Sequence, residues 1–344
     1  MNPKQFSSDK ILNHLDEVNE WYEGGNPFPV TMELDLTNKC NHNCPGCVGG
    51  RNSNEELTEK EAKDIIYELG DLDCKGLIFT GGGEPLCSPY VMNAVECARQ
   101  SGMDVGFITN GSLLHKIDCK TLLDCCTWIR VSLDAGSPQM HKKVHGIGDF
   151  TKVVKGIRTL TSLKNKIKST CTIGAGYLIG KGTDVSEDIM DFVLLSIELQ
   201  VDYAQLRPFL SNGKSDFSDF KIMDFGTYLK KETRKTKILY SKHKYDSIKN
   251  GEVRRIYKKC YGQQFISVIS AAGDMIICCH ARGNPSMYLG NTKQQTIKEI
   301  WDSVKRQKMI KAIQIEKCPL LCRADAINTI LWNIKKETEH INFL

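Results

Sequence analysis

The chain has 344 residues, a formal net charge of +5 and 15 cysteines, with 25% of its residues charged. That length buries a large core and leaves room for a second, smaller unit, while the absence of any apolar run of about 18 residues excludes a membrane-spanning helix. The polar start Met1-Asn-Pro-Lys-Gln-Phe-Ser-Ser8 has no secretory character and the basic residues are scattered, so a cytoplasmic protein with reduced cysteines and no nucleic-acid or membrane partner is expected.

Residues 1–29 read as a short helix, the pair Gly24-Gly25 and a turn. Strand-like runs follow at 31–36, 77–80, 105–109, 128–133, 171–179 and 203–207. Amphipathic, helix-length stretches separate them; the one over 58–69 has Thr58 as its N-cap and Gly70 as its stop. Alternation of this kind specifies an α/β fold, a parallel sheet with helices outside, and parallel barrels place their sites at the C-terminal ends of the strands. Residues 211–259, rich in Lys, Asp and Ser, read as a linker with a helix or two.

The motifs fall at those strand ends. Cys40, Cys44 and Cys47 follow the first strand with Cys-x3-Cys-x2-Cys spacing, which gives one loop three thiolates. Three is one short of what a cubane iron–sulfur cluster takes from a protein, leaving one iron open; zinc or free thiols are the alternatives. The second strand runs into Gly81-Gly-Gly-Glu-Pro85, where consecutive glycines let backbone N–H groups approach a ligand. Asn110 and Gly111 follow the third strand, as ligand contacts or as a turn pair. Ser132 and Asp134 end the fourth. Far downstream stand Cys260, Gly273, Cys278, Cys318 and Cys322, the last two alternatively an ordinary helix-end pair, with Cys279 beside them.

Taken together, the cysteine triplet and the glycine loop resemble the radical SAM superfamily, and six strand–helix units match its partial (β/α)6 TIM-like barrel. The resemblance implies that Cys40, Cys44 and Cys47 hold a [4Fe–4S] cluster whose open iron chelates S-adenosylmethionine. It further implies that Gly81, Gly82, Gly83 and Glu84 cradle the amino group of that cofactor. Gly46 stands where an aromatic residue often precedes the third cysteine and meets the adenine through its backbone. Asn110 and Ser132 are candidate cofactor contacts by the same likeness, Ser132 for the ribose or carboxylate. Asp134 either touches substrate or caps the next helix. The spacing of Cys260, Cys278, Cys318 and Cys322 is similar to the twitch and SPASM auxiliary-cluster extensions; four fitting cysteines suit a twitch-like domain with one further [4Fe–4S] cluster. The implied organisation is 1–29, helix and turn; 30–215, barrel; 216–344, linker and auxiliary domain.

The implied activity is reductive cleavage of S-adenosylmethionine to a 5′-deoxyadenosyl radical. That radical abstracts hydrogen from a small-molecule substrate such as a sugar, aminocyclitol or nucleotide-like compound, giving oxidation or epimerisation, with a flavodoxin or ferredoxin as electron donor. Cys279 is the candidate hydrogen donor for epimerisation; the alternative is a cysteine packed in the core. A peptide-modifying maturase is a second reading, and a non-enzymatic iron–sulfur electron carrier is the reading from another class.

Overall fold

Six apolar runs become the strands β1 (Thr31–Asp35), β2 (Gly76–Thr80), β3 (Asp104–Thr109), β4 (Cys126–Ser132), β5 (Thr172–Ile179) and β6 (Tyr203–Pro208), all parallel and in that order in one sheet. The computed structural model describes residues 8–47, 49, 53–180, 182–208, 210–211, 214–215, 235–241, 244–245, 248 and 255–336. Between the strands run α2 (Glu59–Asp71), α3 (Val91–Gln100), α4 (Cys119–Cys125), α5 (Pro138–His145), α6 (Phe150–Ile167) and α7 (Ser186–Glu198), after the N-terminal α1 (Leu15–Tyr22). The alternation of side chains along each strand sorts the sheet's two faces. Met32, Leu34, Leu77, Phe79, Val105, Phe107, Ile129 and Val131 face the helices and are buried against Ala62, Ile66, Leu69 and Val95. Burying each large side chain contributes roughly 1.5–3 kcal/mol, which fixes the register, because a one-residue slip would turn the apolar set inward.

Helix α2 starts where the sequence indicates. Thr58 accepts from Glu61 N while the Glu61 carboxylate accepts from Thr58 N, a reciprocal capping box. It does not stop at Gly70, however, but runs to Asp71. Gly70 is small for another reason: a β-carbon there would come 3.0 Å from Ser101 Cβ and 3.1 Å from Ser101 O.

Most of the stretch read as a linker lies outside the described residues. Its described part holds two short antiparallel strands, β7 (Leu210–Ser211) and β8 (Lys214–Ser215), and β9 (Lys237–Tyr240), which pairs parallel with β6 as a seventh member of the barrel sheet. At the other edge the sheet is extended by the C-terminal region. Strand β10 (Ile266–Ile269) lies parallel to β1, and β11 (Asp274–Ile276) and β12 (Tyr288–Asn291) continue it as an antiparallel meander. Helices α8 (Ile297–Asp302), α9 (Val304–Ala312) and α10 (Asp325–Lys335) follow.

The N-terminal segment closes on this C-terminal region. Trp21 packs edge-on to Tyr261 at 4.9 Å and to Phe265 at 6.3 Å, in a separate apolar cluster with Val18 and Leu331. Trp301 donates to Pro27 O at 3.0 Å, and the buried Arg306 donates to Asn26 Oδ1 at 2.7 Å and stacks on Trp301. No described helix is long and apolar enough to cross a membrane.

Candidate active site

The loop from β1 carries the cysteine triplet over the C-terminal end of the sheet. Its base is zipped: residues 37 and 56 form an antiparallel bridge, and Asn38 Nδ2 donates to Ser53 Oγ at 2.8 Å and to Glu55 Oε2 at 2.7 Å. Within it Cys47 N donates to Cys44 O at 3.2 Å, closing a turn that leaves Pro45 and Gly46 exposed. His42 N donates to Cys40 Sγ at 3.4 Å. Burial, with the charges of Cys47 and Cys40 behind it, pushes the Cys44 thiol up to about 12; burial also raises Cys40, although as a whole residue it counts as exposed. Three thiols held on one loop are a donor set that a cationic iron–sulfur core satisfies, so the residues present fit the group the motif implies.

The glycine loop is pressed against this one. Gly83 N donates to Thr37 O at 3.1 Å and Glu84 N to Lys39 O at 2.9 Å, and a β-carbon on Gly83 would lie 2.2 Å from Lys39 O. Gly81 is equally restricted, its β-carbon falling 2.7 Å from Gly83 O, and Gly82 O would be met at 2.6 Å by a β-carbon on Gly49. Side chains are excluded here by backbone, the condition for a close ligand approach.

Two of the expected contacts are engaged within the protein. Glu84, expected beside the cofactor, is buried with both carboxylate oxygens occupied: Oε1 accepts from Thr109 Oγ1 at 2.6 Å and Leu86 N at 3.1 Å, Oε2 from Asn110 N at 2.7 Å. Burial pushes its carboxyl up to about 7 despite those bonds, and its part is to brace β3 against the glycine loop. Asp134, expected at the substrate or as a helix cap, accepts from Leu178 N at 2.7 Å through Oδ1, with Oδ2 4.0 Å from His145 Nε2. It clips the end of β4 to β5, and its φ of +48° makes the sharp turn there. The cap of α5 is Ser137 instead.

Asn110 stands in a turn: its Oδ1 accepts from Ser112 N at 3.0 Å, and Gly111 has φ +80°. Its Nδ2 donates to Asn41 Oδ1 at 2.9 Å, and Asn41 in turn bonds Ser112 Oγ, so Asn110 holds the cysteine loop in place from below. Ser132, by contrast, ends β4 on the inward face and makes no hydrogen bond with its side chain among the described residues.

A histidine cluster that the sequence reading missed stands behind the loop. His145 Nδ1 lies 3.3 Å from Cys44 Sγ and its Nε2 3.0 Å from Leu133 O. His42 pairs with Asp149 at 3.1 Å, and His141 stacks beside His145 with ring centroids 4.5 Å apart. Burial lowers His42 and holds His141 down to about 4, so both are neutral near pH 7. His42, Cys44 and His145 offer one ligand atom each within 4.8 Å of one another. The spacing of these residues carries no motif; only the packing of α5 and α6 under the loop brings them together.

The second thiol set gathers at the other edge. Cys260, Cys278, Cys318 and Cys322 lie close enough that their charged forms repel, and burial is the main cause that raises all four, Cys278 to about 12 and Cys322 to about 11. Asn328 Nδ2 donates to Cys260 Sγ at 3.5 Å, and Arg255 donates to Cys318 O at 2.7 Å. Four thiols converging from three segments fit a fully ligated cluster. Cys279 is half-buried beside Cys278 and Cys322, its thiol pushed up to about 12 by burial. Three residues on, Arg282 reaches the inner face of β1. It grips Asp35 through Nε at 2.9 Å and Nη2 at 2.8 Å, and Glu33 through Nη2 at 2.8 Å, while Arg323 pairs with Glu33 from the other side. The loop beyond Cys278 is thereby pinned to the strand that leads into Cys40.

Two separate thiol sets, one at the mouth of a parallel sheet and one pinned beside it, define a metal-cluster enzyme rather than a disulfide-stapled protein. Residues 34–193 match the Radical SAM superfamily and residues 260–324 match SPASM, an iron–sulfur cluster-binding domain, together more than half of the chain. The chain belongs to the radical SAM superfamily and carries a SPASM domain; [4Fe–4S] clusters and S-adenosylmethionine are its cofactors. It is 25% identical over 301 residues to an AdoMet-dependent heme synthase of Methanosarcina barkeri, covering 80% of this chain and 82% of that protein. Against the mycofactocin maturase MftC of Mycobacterium ulcerans it is 28% identical over 146 residues, 42% of this chain but only 39% of the maturase, so the shared part is less than half of that protein. The crystal structure of Streptococcus suis SuiB bound to S-adenosylmethionine superposes with a TM-score of 0.65 at 15% identity, over 88% of this chain and 73% of SuiB, a likeness of fold.

Proposed function

We propose that this radical SAM enzyme removes a hydrogen atom from a small-molecule substrate bound inside the barrel, with oxidation as the net outcome. The single observation that carries this reading is the Arg282 pin: it holds the second thiol set against the barrel interior, where a substrate would lie between the two sites. When bound, the first cluster and S-adenosylmethionine supply one-electron chemistry able to activate an otherwise inert C–H bond. In this proposal Cys40, Cys44 and Cys47 hold that cluster, with Asn41, Asn110 and Ser112 fixing their loop. The backbone of Gly46, Gly81, Gly82 and Gly83 and the hydroxyl of Ser132 receive S-adenosylmethionine. Cys260, Cys278, Cys318 and Cys322 hold the second cluster, whose closed thiol shell suits electron acceptance rather than substrate ligation. The similarity to a heme synthase over 80% of this chain supports a small-molecule substrate. The same proposal includes a flavodoxin or ferredoxin as donor, a cytoplasmic location, and a barrel unit over 30–215 followed by an auxiliary unit within 216–344.

A second reading, peptide modification, is favoured by the likeness of fold to SuiB, whose structure is also known bound to its precursor peptide SuiA. The test of the main proposal is anaerobic reconstitution followed by reduction in the presence of S-adenosylmethionine. The unmodified protein is expected to yield 5′-deoxyadenosine, and the Cys40→Ala/Cys44→Ala/Cys47→Ala variant none, with about half the iron. Full iron in the triple variant, or no deoxyadenosine from iron-replete protein, would overturn it.

A further inference from the structure

The barrel interior holds two groups of buried charge, and only one is neutralised. Glu33 and Asp35 on β1 are met by Arg282 and Arg323. Among the described residues, Arg130 on β4 and Arg207 on β6 are not met by anything comparable. Both face inward across β5, whose inward residues there are Gly174 and Gly176. A β-carbon on Gly176 would come 3.1 Å from Arg207 Nη2 and 3.7 Å from Arg130 Cδ, so the two side chains converge over a glycine that leaves them room.

Among the described residues neither guanidinium has a carboxylate within ion-pair distance, and the buried Nε of each has no hydrogen-bond partner. The same is true of the buried Oε1 of Gln205, two residues before Arg207 on the same face. Asp134, the carboxylate whose charge acts on Arg130, is committed to Leu178 N. The Tyr203 phenol lies near enough to feel both guanidinium charges, and Lys244 is a third cation in the field of Arg207. Burial first, and then the charge of Arg207, brings the Arg130 guanidinium down to about 9. The Arg130 guanidinium also lies 6.0 Å from the Trp128 ring centroid, at the limit of a cation–π interaction.

Two like charges buried side by side without a counter-ion are costly, and every other guanidinium described in this interior is partnered. A ligand anion would supply the missing charge. We propose that Arg130 and Arg207 form a subsite for an anionic group of the substrate, a carboxylate or a phosphate, held inside the barrel beneath Ser132, with Gln205 and Lys244 at its margin. A planar guanidinium offers paired N–H donors to either anion, and two set at an angle hold it from both sides. The inference depends on the proposed function only for which molecule carries the anion; the subsite itself is a property of these side chains.

The test uses the cluster-reconstituted full chain and its Arg130→Gln, Arg207→Gln and double variants. Inorganic pyrophosphate and succinate serve as probes, each titrated calorimetrically with and without saturating S-adenosylmethionine. At least one probe is expected to bind the unmodified protein at one site, about tenfold more weakly in each single variant and not at all in the double. Each probe that binds should raise the melting temperature of the unmodified protein and not that of the double variant. Without probe, each single variant should melt no lower than the parent, because a buried like charge has been removed; this shows that the variants fold. Absence of binding by the unmodified protein, or binding that survives in the double variant, overturns the proposal. So does a tenfold loss of S-adenosylmethionine affinity in the variants with probe binding unchanged, which would assign the pair to the cofactor's own carboxylate. Should the unmodified protein bind pyrophosphate through these arginines yet fail to cleave S-adenosylmethionine, the anion subsite stands and the proposed function falls.

Discussion

Replacing Arg282 by methionine would strand two carboxylates inside the protein. Asp35 and Glu33 side chains are only 2% and 8% exposed, and Arg282 gives them three charge-assisted hydrogen bonds of 2.8–2.9 Å. Removing one partner of a buried ion pair costs roughly 3–5 kcal/mol, most of it the cost of leaving the other charge unpaired. Arg323 still faces Glu33 in the variant, so Asp35 carries the loss and a value of about 3 kcal/mol is expected. Urea unfolding followed by tryptophan fluorescence measures it: with a slope of about 3 kcal/mol per molar, the midpoint should fall by about 1 M. The companion variant Arg282→Met/Asp35→Asn removes the stranded charge as well, and it should recover about 2 kcal/mol of the deficit. A midpoint for Arg282→Met indistinguishable from the parent, or a companion variant no better than the single one, would refute the reasoning and with it the role of this pin.

Two further outcomes follow from side chains described above. If oxidation is the net reaction, Cys279→Ala should retain most turnover, and product formed in deuterated water should carry no stoichiometric deuterium; label at one carbon that is lost in the variant would make Cys279 a hydrogen donor and the reaction an epimerisation. His141 titrates near 6.5 when unfolded but is held down to about 4 by burial in the fold. Between those values the unfolded chain takes up a proton that the folded protein refuses, so stability is level above pH 6.5 and falls as pH drops toward 4, by up to about 1.4 kcal/mol per unit from this group. In His141→Gln that part of the slope should vanish, and unfolding titrations at pH 7, 6 and 5 that show the parent's slope unchanged would exclude His141 as its source.

What was legible in the sequence was whatever a short window carries. The strands β1 to β6 announce themselves because parallel strands covered by helices are apolar on the face that packs, and the cysteine triplet and glycine loop are contiguous. Strand β9 escaped because its four residues, Lys237 to Tyr240, are a half-buried edge with a lysine at one end. The roles of Glu84, Asp134 and Arg282 were beyond reach for a different reason. Their partners lie 25, 44 and 247 residues away, so a carboxylate that braces and one that reacts read alike in the chain. Arg130 and Arg207 looked like ordinary strand residues; what sets them apart is the absence of a paired carboxylate among the described residues, which no sequence window displays.

The pairing of β10 with β1 sets the order in which this chain can be completed. Thr31 gains its partner on the β2 side at Gly76, but its partner on the other side is Ile266. Until that residue has left the ribosome, β1 is an edge strand with an unpaired row of backbone donors and acceptors, the kind of surface on which nascent chains associate. Glu33 and Asp35 sit on that strand with their arginines still unsynthesised, and inward-pointing charges of this sort discourage intermolecular pairing. The residues that later anchor the auxiliary region thus protect the strand while it waits for its neighbour, and a fragment ended ahead of β10 would keep both the open edge and the uncompensated charge.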